Sequence, residues 1–313
     1  MVYKEGVRYA YLKPTEANNE QYIAAINQAI ADGATIIVTP GFLFEAPIGT
    51  VQSAHKNVKF ILLDGAPTVD GEVKINKNVA SIFYAEEQTG FLAGYAAVKD
   101  GFRKLGFMGG MAVPAVQRFG HGYVQGAAKA AEELGLEAGA VTIQYLYTGD
   151  FQATTEVQTA AATMYAGGVE VIFACGGAVG QSVMAAAEAD TDKWVIGVDV
   201  DQSADSTRVI SSSTKNLAGS VEQVLEAIFY GTFNKEFGGK SVILDVKSEG
   251  VGLPMANSRW RTFSQADYDD IYAKLVAGTV TVSSVIGEFG DDGNAAKQFE
   301  TTEVKVTVIP FGS

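Results

Sequence analysis

The chain has 313 residues, 47% of them hydrophobic, a length at which one hydrophobic core usually divides into two. The formal net charge of −13 argues against nucleic acid or an anionic membrane surface as a partner. The single cysteine, Cys175, excludes a disulfide within the chain, and the two histidines, His55 and His121, exclude a histidine-rich metal centre.

In its first half the chain alternates short apolar strands with helices. Residues 6–12 alternate and are rich in β-formers, which predicts a strand. A helix follows, with Asn18 or Asn19 as its N-cap. The same pattern then predicts strands at 35–38, 58–63, 79–83 and 104–108 and helices at about 88–98 and 118–134.

The second half repeats this alternation and ends in an additional segment. It predicts strands at 142–147, 171–174, 194–198 and 209–212 and helices at 151–166, 181–189 and 217–230. A helix at 265–276, a polar linker at 287–298 and a strand at 303–309 complete the chain. Two such series in tandem predict an α/β protein with two doubly wound, Rossmann-like lobes joined by a hinge.

We place the lobe boundaries where one series of alternating strands and helices ends and the other begins. We assign residues 1–109 and about 209–244 to lobe 1, and residues 110–208 and about 245–283 to lobe 2. Residues 284–313 form the linker and the extra strand. The chain is expected to cross between lobes near 109–114, 203–209 and 245–252.

Ligands of doubly wound sheets bind at the carboxyl ends of the strands. Asp199 can accept hydrogen bonds from two vicinal hydroxyls there, or it can serve as a turn or N-cap residue. Lys215 is a candidate donor or a solvated surface lysine, and Phe42 can stack on a planar ring or pack in the core. The candidate ligand-binding residues are Gly41, Phe42, Tyr84, Phe173, Gly177, Asp199 and Lys215.

Motifs for catalysis are missing from the sequence. It contains no G-x-S-x-G elbow, no H-E-x-x-H and no P-loop ending, and its glycines do not form a dinucleotide fingerprint after a first strand. We therefore expect no catalytic residue, no metal site and no cofactor, and we expect a protein that is not an enzyme.

Several blocks, in order along the chain, resemble the basic membrane protein family. Asn78-Val79-Ala80 precedes Glu86-Glu87 and Phe91-Leu92-Ala93-Gly94, which is similar to the N-V-A…E-E…F-L-A-G block of that family. Further matching blocks are KLGFMGGM at 104–111 with Arg118-Phe119, WVIGVDVDQ at 194–202, Ser211–Lys215 and GVGL at 250–253.

The resemblance implies a substrate-binding lipoprotein of an ABC importer with a type I periplasmic-binding fold. It also implies an extracytoplasmic, lipid-anchored precursor, a monomer, and a permease as partner. Well-understood members bind purine nucleosides, and others are associated with riboflavin or free bases. By this resemblance Asp199 would hold ribose hydroxyls, Lys215 would donate to the ligand, and the backbone near Gly41 and Gly177 would line the cleft.

Other functions remain open at this point. A ligand-sensing regulator of the same fold, a binder of riboflavin, a free base or a sugar-like solute, and a nucleoside hydrolase are the alternatives. The acidic charge and the absence of a helix-turn-helix motif oppose a DNA-binding regulator.

Three departures from the family pattern bear on the site. The family begins with a strand and a D-D/N-x-S-F-N-Q loop that this chain lacks, the acid of its G-G-M-D turn is Ala112 here, and Val179 replaces a hydroxyl residue. The extra strand at 303–309 has two possible positions. Either it fills the position of the missing strand in lobe 1, or it pairs at a sheet edge in a chain that lacks its N-terminal segment.

Overall fold

The computed structural model describes residues 8–312, and its contacts divide the chain into two compact units. Unit 1 comprises Met1–Phe83 and Ala218–Ile243, and unit 2 comprises Tyr84–Leu217 and Leu244–Ser313. The elements up to the middle of the chain are α1 (Asn19–Ala31), β1 (Ile36–Pro40), α2 (Glu45–Val51), β2 (Lys59–Leu63), β3 (Thr68–Val69), β4 (Glu72–Val73), β5 (Val79–Tyr84), α3 (Glu86–Lys99), β6 (Lys104–Gly109) and α4 (Pro114–Glu133).

The remaining elements continue the alternation of strands and helices. They are β7 (Val141–Tyr147), α5 (Thr155–Ala166), β8 (Val171–Cys175), α6 (Val179–Glu188), β9 (Trp194–Asp199), β10 (Val209–Lys215), α7 (Leu217–Phe229), α8 (Phe233–Glu236), β11 (Lys240–Leu244), β12 (Val251–Gly252), α9 (Gln265–Ala277) and β13 (Val304–Val308). The predicted strands from β1 onwards and the helices are therefore confirmed, with ends that shift by a few residues.

The strand predicted at residues 6–12 is not formed in its described part. Residues 6 and 7 lie outside the described residues, and residues 8–14 have no regular structure. Tyr9 and Tyr11 are 88% and 86% exposed. A strand depends on hydrogen bonds to a neighbouring strand, and no described strand lies beside this segment, so its β-forming residues do not suffice.

The sheet of unit 1 has the order β1-β2-β5-β11. Its first three strands are parallel, with Ile36 opposite Lys59 and Phe60 opposite Val79. Apolar side chains of α1, α2 and β2 form the core beside this sheet, among them Ile26, Ile48 and Phe60.

The sheet of unit 2 has seven strands in the order β12-β10-β9-β8-β6-β7-β13. Strand β6 pairs with both β7 and β8 in this sheet. The expected boundary at residue 109 is therefore wrong, because β6 is an interior strand of the second sheet. Strand β10 likewise pairs with β9, so the boundary expected near 209 also lies too early.

The crossings between the units differ from the expected ones for the same reason. The chain passes between units at 83/84, 217/218 and 243/244. The segments 109–114 and 203–209 connect elements within unit 2, whereas 245–252 begins just after the third crossing.

The extra C-terminal strand lies in unit 2. β13 runs parallel to β7, with Val304 opposite Val141 and Val308 opposite Tyr145. It therefore extends the edge of the second sheet, and the hypothesis that it fills a position in lobe 1 is wrong. Val304 and Val306 are buried, whereas Lys305 and Thr307 alternate to the exposed side.

The segment before β13 is fixed to α4 by three side chains spaced one turn apart. Gln125 accepts from the amide of Ser283 at 2.8 Å, and the Nδ1 atom of His121 lies 2.8 Å from the carbonyl of Val285. Gln117 accepts from the amide of Gly287 at 2.8 Å. Residues at i, i+4 and i+8 lie on one face of a helix, so these three side chains of α4 all bind the same extended segment.

Helices α3 and α4 pack with almost no space between their backbones. A Cβ atom at Gly94 would lie 2.0 Å from the carbonyl oxygen of Tyr123, and one at Gly122 would lie 2.1 Å from that of Glu87. Larger side chains at these positions would push the helices apart. Glycine at both positions therefore sets the distance between α3 and α4, which carry Glu86 and Arg118.

Candidate ligand-binding site

Four parallel strands of unit 2 end at one edge of the sheet. β6, β8, β9 and β10 run in the same direction and end at Gly109, Cys175, Asp199 and Lys215. Because the carboxyl ends of such strands form the ligand edge in doubly wound sheets, this edge is the candidate site of unit 2.

The ammonium group of Lys215 is the centre of the site. Its Nζ atom lies 3.4 Å from Oε1 of Glu86 and 3.4 Å from Oδ1 of Asp199. The side chains of Lys215 and Glu86 are 3% and 1% exposed, whereas that of Asp199 is 44% exposed. A buried lysine is stabilised as a cation only by close opposite charges, and both carboxylates supply them.

Arg118 completes the charge balance. Its Nε atom donates to Oε2 of Glu86 at 2.6 Å. Glu86 begins α3 and Arg118 lies in the first turns of α4, so the close packing of the two helices brings these residues together. The cluster of Glu86, Asp199, Lys215 and Arg118 therefore contains two carboxylates and two cations.

Two aromatic rings lie near the ammonium group. Nζ of Lys215 lies 5.4 Å from the ring centroid of Tyr84 and 5.1 Å from that of Phe119. At this range a cation is attracted to the face of an aromatic ring. Tyr84 is 2% exposed, so it supports Lys215 from within the protein rather than presenting a surface to solvent.

Phe173 lies in the aromatic core below the site. Its ring is completely buried and contacts the rings of Phe107, Phe119 and Tyr123 at centroid distances of 5.6, 5.9 and 5.3 Å. Phe119 also lies near Lys215, with its ring centroid 5.1 Å from Nζ. The structure gives Phe173 a packing position, so we do not retain it as a residue that touches the ligand.

Asp199 has an unusual backbone conformation. Its φ of 66° lies in the left-handed region, which residues other than glycine seldom adopt. The following turn is fixed by Gln202, whose Oε1 accepts from the amide of Val198 at 2.9 Å. The Oδ1 atom of Asp199 is buried towards Lys215. The exposed part of this carboxylate is consequently free to receive hydroxyl donors from a ligand.

The neighbouring end of β8 is apolar and tightly turned. Burial raises the pKa of the Cys175 thiol, and the negative charge of Asp199 acts in the same direction, so the thiol stays protonated and unreactive. Gly177 has a φ of 56°, and a Cβ atom there would lie 3.5 Å from Cβ of Phe151. Gly177 therefore forms the turn that brings the backbone to this edge.

The candidates in unit 1 also lie at the carboxyl ends of strands. Gly41 follows β1 with a φ of 92° and donates its amide to the carbonyl of Leu63 at 2.7 Å. Phe42 begins a 3₁₀ helix that ends at Phe44. Asp64, directly after β2, has a φ of 55°. Unit 1 thus carries turns at the carboxyl ends of β1 and β2, and the ligand contacts of Gly41 and Phe42 stay a prediction.

Sequence reasoning missed Glu86 and Arg118 as site residues. Both were noted as parts of family blocks, but nothing in their spacing shows that Arg118 of α4 and Lys215 of β10 share the carboxylate of Glu86. A usable signal was the acidic pair Glu86-Glu87 directly after a buried strand, because charged residues are seldom fully buried unless they are paired.

The two α/β units with parallel sheets define the class of fold, which is the type I periplasmic-binding class. A solute-binding protein of an ABC transporter system from Aeropyrum pernix has a similar structure, with a TM-score of 0.69, 22% identity and coverage of 87% of this chain and 83% of that one. This likeness shows the type I periplasmic-binding fold.

Sequence comparison identifies the family. The profile described as ABC transporter substrate-binding protein, PnrA-like, matches residues 1–285, and the chain belongs to this family. The ABC transporter nucleoside-binding protein BmpA of Lactococcus lactis is 30% identical over 303 residues, covering 90% of this chain and 80% of that protein. Basic membrane protein D of Borreliella burgdorferi is 29% identical over 280 residues, covering 86% and 75%.

Membership of this family fixes the general role. The protein is a substrate-binding component of an ABC transporter, not an enzyme, with a small-molecule ligand and a permease as partner. Substrate-binding proteins of ABC importers act outside the cytoplasm. Among residues 8–312, no helix combines the length and the apolar character needed to span a bilayer.

Proposed function

We propose that this protein binds a purine nucleoside for import. The observation that carries the proposal is the half-exposed carboxylate of Asp199, held by the buried ammonium of Lys215 at 3.4 Å. An ionised carboxylate at the end of a strand accepts hydrogen bonds from two vicinal hydroxyls, which is the chemistry of a ribose ring. The relative from Lactococcus lactis is named as a nucleoside-binding protein, which supports this ligand class.

Lys215 and Glu86 have a positioning role in this proposal. The ammonium group of Lys215 holds the Asp199 carboxylate in one orientation, and Glu86 supplies a buried carboxylate beside the same ammonium group. A preorganised acceptor binds more tightly than a mobile one because less conformational freedom is lost on binding.

Isothermal titration with adenosine, guanosine, inosine and ribose tests the proposal. We expect binding of at least one nucleoside and a loss of about 100-fold in Asp199→Asn, since hydrogen bonds to a charged group contribute about 1.5–3 kcal/mol each. Asp201→Asn is the matched control, because Asp201 is bound to Asn257 at 3.0 Å on the surface. Binding of no nucleoside, or equal affinity in both variants, would refute the proposal.

Deoxynucleosides sharpen the same test. If Asp199 receives both ribose hydroxyls, 2′-deoxyadenosine should bind at least tenfold more weakly than adenosine, because one acceptor atom then loses its partner. A free base as the preferred ligand would show no such dependence on Asp199, whereas riboflavin, which carries vicinal hydroxyls on its ribityl chain, is distinguished by its own titration. A ligand-sensing regulator would bind the same nucleosides but would not restore uptake in a cell that lacks this protein.

Capture by closure of the two units remains part of the proposal. The chain joins the units by three crossings, which is the connectivity that hinge closure uses. Small-angle scattering should show a smaller radius of gyration with saturating adenosine than without ligand.

We further propose that the protein is a monomer, which light scattering checks. We also propose a lipid anchor on the native precursor, which labelling of cells with a radioactive fatty acid checks.

A further inference from the structure

One large aromatic side chain, Phe289, is exposed in the segment that joins α9 to β13. It is 73% exposed and lies beyond residue 285, where the match to the family profile ends. A single exposed aromatic ring is common on protein surfaces, so exposure alone assigns no role. The position of the backbone on both sides of this ring is the informative feature.

One neighbour of Phe289 is hydrogen-bonded to α4, and the other is hydrogen-bonded to the turn between β6 and α4. Gln117, in the first turns of α4, donates to the carbonyl of Glu288 at 2.9 Å and to that of Ala112 at 3.0 Å. Gly290 donates its amide to the carbonyl of Ala112 at 3.3 Å. The backbone at Phe289 is therefore held against this turn while its ring remains open to solvent.

The residues that follow make the segment rigid. Asp291 accepts from the amides of Gly293 and Ala295, both at 3.1 Å. Gly293 packs on β7, since a Cβ atom there would lie 2.9 Å from the ring of Tyr145. Phe289 thus lies on a segment with fixed geometry, which is what a contact residue requires.

The turn that holds Phe289 lies at the same sheet edge as Asp199. β6, β8 and β9 are parallel, and β8 lies between the other two. Gly109 at the end of β6 and Asp199 at the end of β9 are therefore separated by one strand. Neighbouring strands are about 4.8 Å apart, which places these ends roughly 10 Å apart. A ligand whose sugar is held by Asp199 can extend across β8 towards this turn.

We propose that Phe289 is a specificity-determining residue that stacks on the planar ring of the ligand, while Asp199 holds its sugar. The inference rests on the proposed function and extends it, because it assigns the base-binding wall of unit 2 to a segment outside the family match. Stacking of a base on a phenyl ring tolerates different bases, so this wall selects for ring ligands over simple sugars.

Titration of Phe289 variants tests this role with adenosine, guanosine, inosine, riboflavin and ribose as probes. We expect Phe289→Ala to raise the Kd of the bound nucleoside about tenfold, ~1.4 kcal/mol. Phe289→Tyr should retain the wild-type Kd because the ring is kept. Tyr230→Ala is the matched control, since Tyr230 is 72% exposed in unit 1, and it should leave every Kd unchanged.

Thiol labelling gives a second measurement that does not depend on affinity changes. Cys175 is 2% exposed, so Phe289→Cys introduces an accessible thiol into a protein whose own thiol is buried. Saturating adenosine should slow its reaction with a thiol reagent at least fivefold. The same reagent should react with Tyr230→Cys at one rate with and without adenosine.

The outcomes separate this inference from the proposed function. Nucleoside binding with an unchanged Kd in Phe289→Ala and no protection of Phe289→Cys would overturn the inference alone. Binding of riboflavin but no nucleoside, weakened by Phe289→Ala, would overturn the proposed ligand and support the aromatic wall. Binding of ribose alone would overturn the stacking role of Phe289. Binding of none of the probes would overturn both this inference and the proposed function.

Discussion

The ammonium group of Lys215 and the carboxylate of Glu86 lie 3.4 Å apart, and both side chains are almost completely buried. They come from the end of β10 and the beginning of α3, so the pair joins the sheet edge to the helical layer. Removing Lys215 would leave buried Glu86 with Arg118 alone and would leave the buried Oδ1 atom of Asp199 without its cation.

Lys215→Met should therefore destabilise the protein strongly. We expect a loss of about 3–5 kcal/mol in the free energy of unfolding, measured by urea denaturation, because Glu86 and Asp199 lose their shared cation. Lys274→Met is the control, since Lys274 pairs with Asp270 at 2.7 Å on the surface and should give no measurable change. Equal midpoints for both variants would contradict the importance of the buried pair.

Gly122→Ala should weaken both stability and ligand binding. The added methyl would meet the carbonyl of Glu87 at 2.1 Å, so α3 and α4 must separate, at a cost of about 1–3 kcal/mol, and Glu86 and Arg118 move apart. Gly180→Ala is the matched control in α6, where the nearest atom to the new methyl is the end of Met184 at 3.9 Å. It should stabilise the protein by up to about 1 kcal/mol.

His121 should make stability depend on pH. Burial lowers the pKa of His121 below its usual value near 6.5, although its bond to Val285 and the charge of Asp291 act in the opposite direction. As the pH falls below 6.5, His121 is protonated in the unfolded chain while it stays neutral in the folded chain, and this favours unfolding. The free energy of unfolding is therefore highest above pH 6.5 and decreases as the pH falls towards the pKa of His121 in the folded state.

Urea denaturation between pH 5 and 8 measures this contribution. The wild-type protein should lose up to about 1.4 kcal/mol per pH unit below pH 6.5, relative to His121→Asn. His55→Asn should behave as the wild type, because His55 is the other histidine and bonds Asn27 in an exposed position. A wild-type pH profile in His121→Asn would exclude His121 as the cause.

The C-terminal strand should contribute to stability through one face. Val306→Asp places a charge where the side chain is 5% exposed, and we expect a loss of about 3 kcal/mol or more. Thr307→Asp changes the adjacent exposed position and should cost less than about 1 kcal/mol. Thermal unfolding of both variants checks the prediction, and similar losses would mean that β13 is not packed against unit 2.

Local pattern determined most of the secondary structure and the positions of the ligand-edge residues. Apolar runs such as Val171–Cys175 predict buried parallel strands, and glycines or acids after them predict turns at the carboxyl edge, because both depend on neighbours in sequence. Asp199 and Lys215 were found in this way. The family resemblance supplied a role for them that periodicity alone does not contain.

Tertiary structure decided what depends on residues far apart in the chain. Strand pairing placed β6 and β10 in the second sheet, placed β13 beside β7, and left residues 8–14 without regular structure, since hydrogen bonds between strands depend on the whole sheet. The pair of Glu86 and Arg118 follows from the packing of α3 against α4, and the pair of Glu86 and Lys215 follows from the packing of α3 against β10. Charge pairing and strand order are long-range properties, and the sequence encodes them only through the complete packing of the chain.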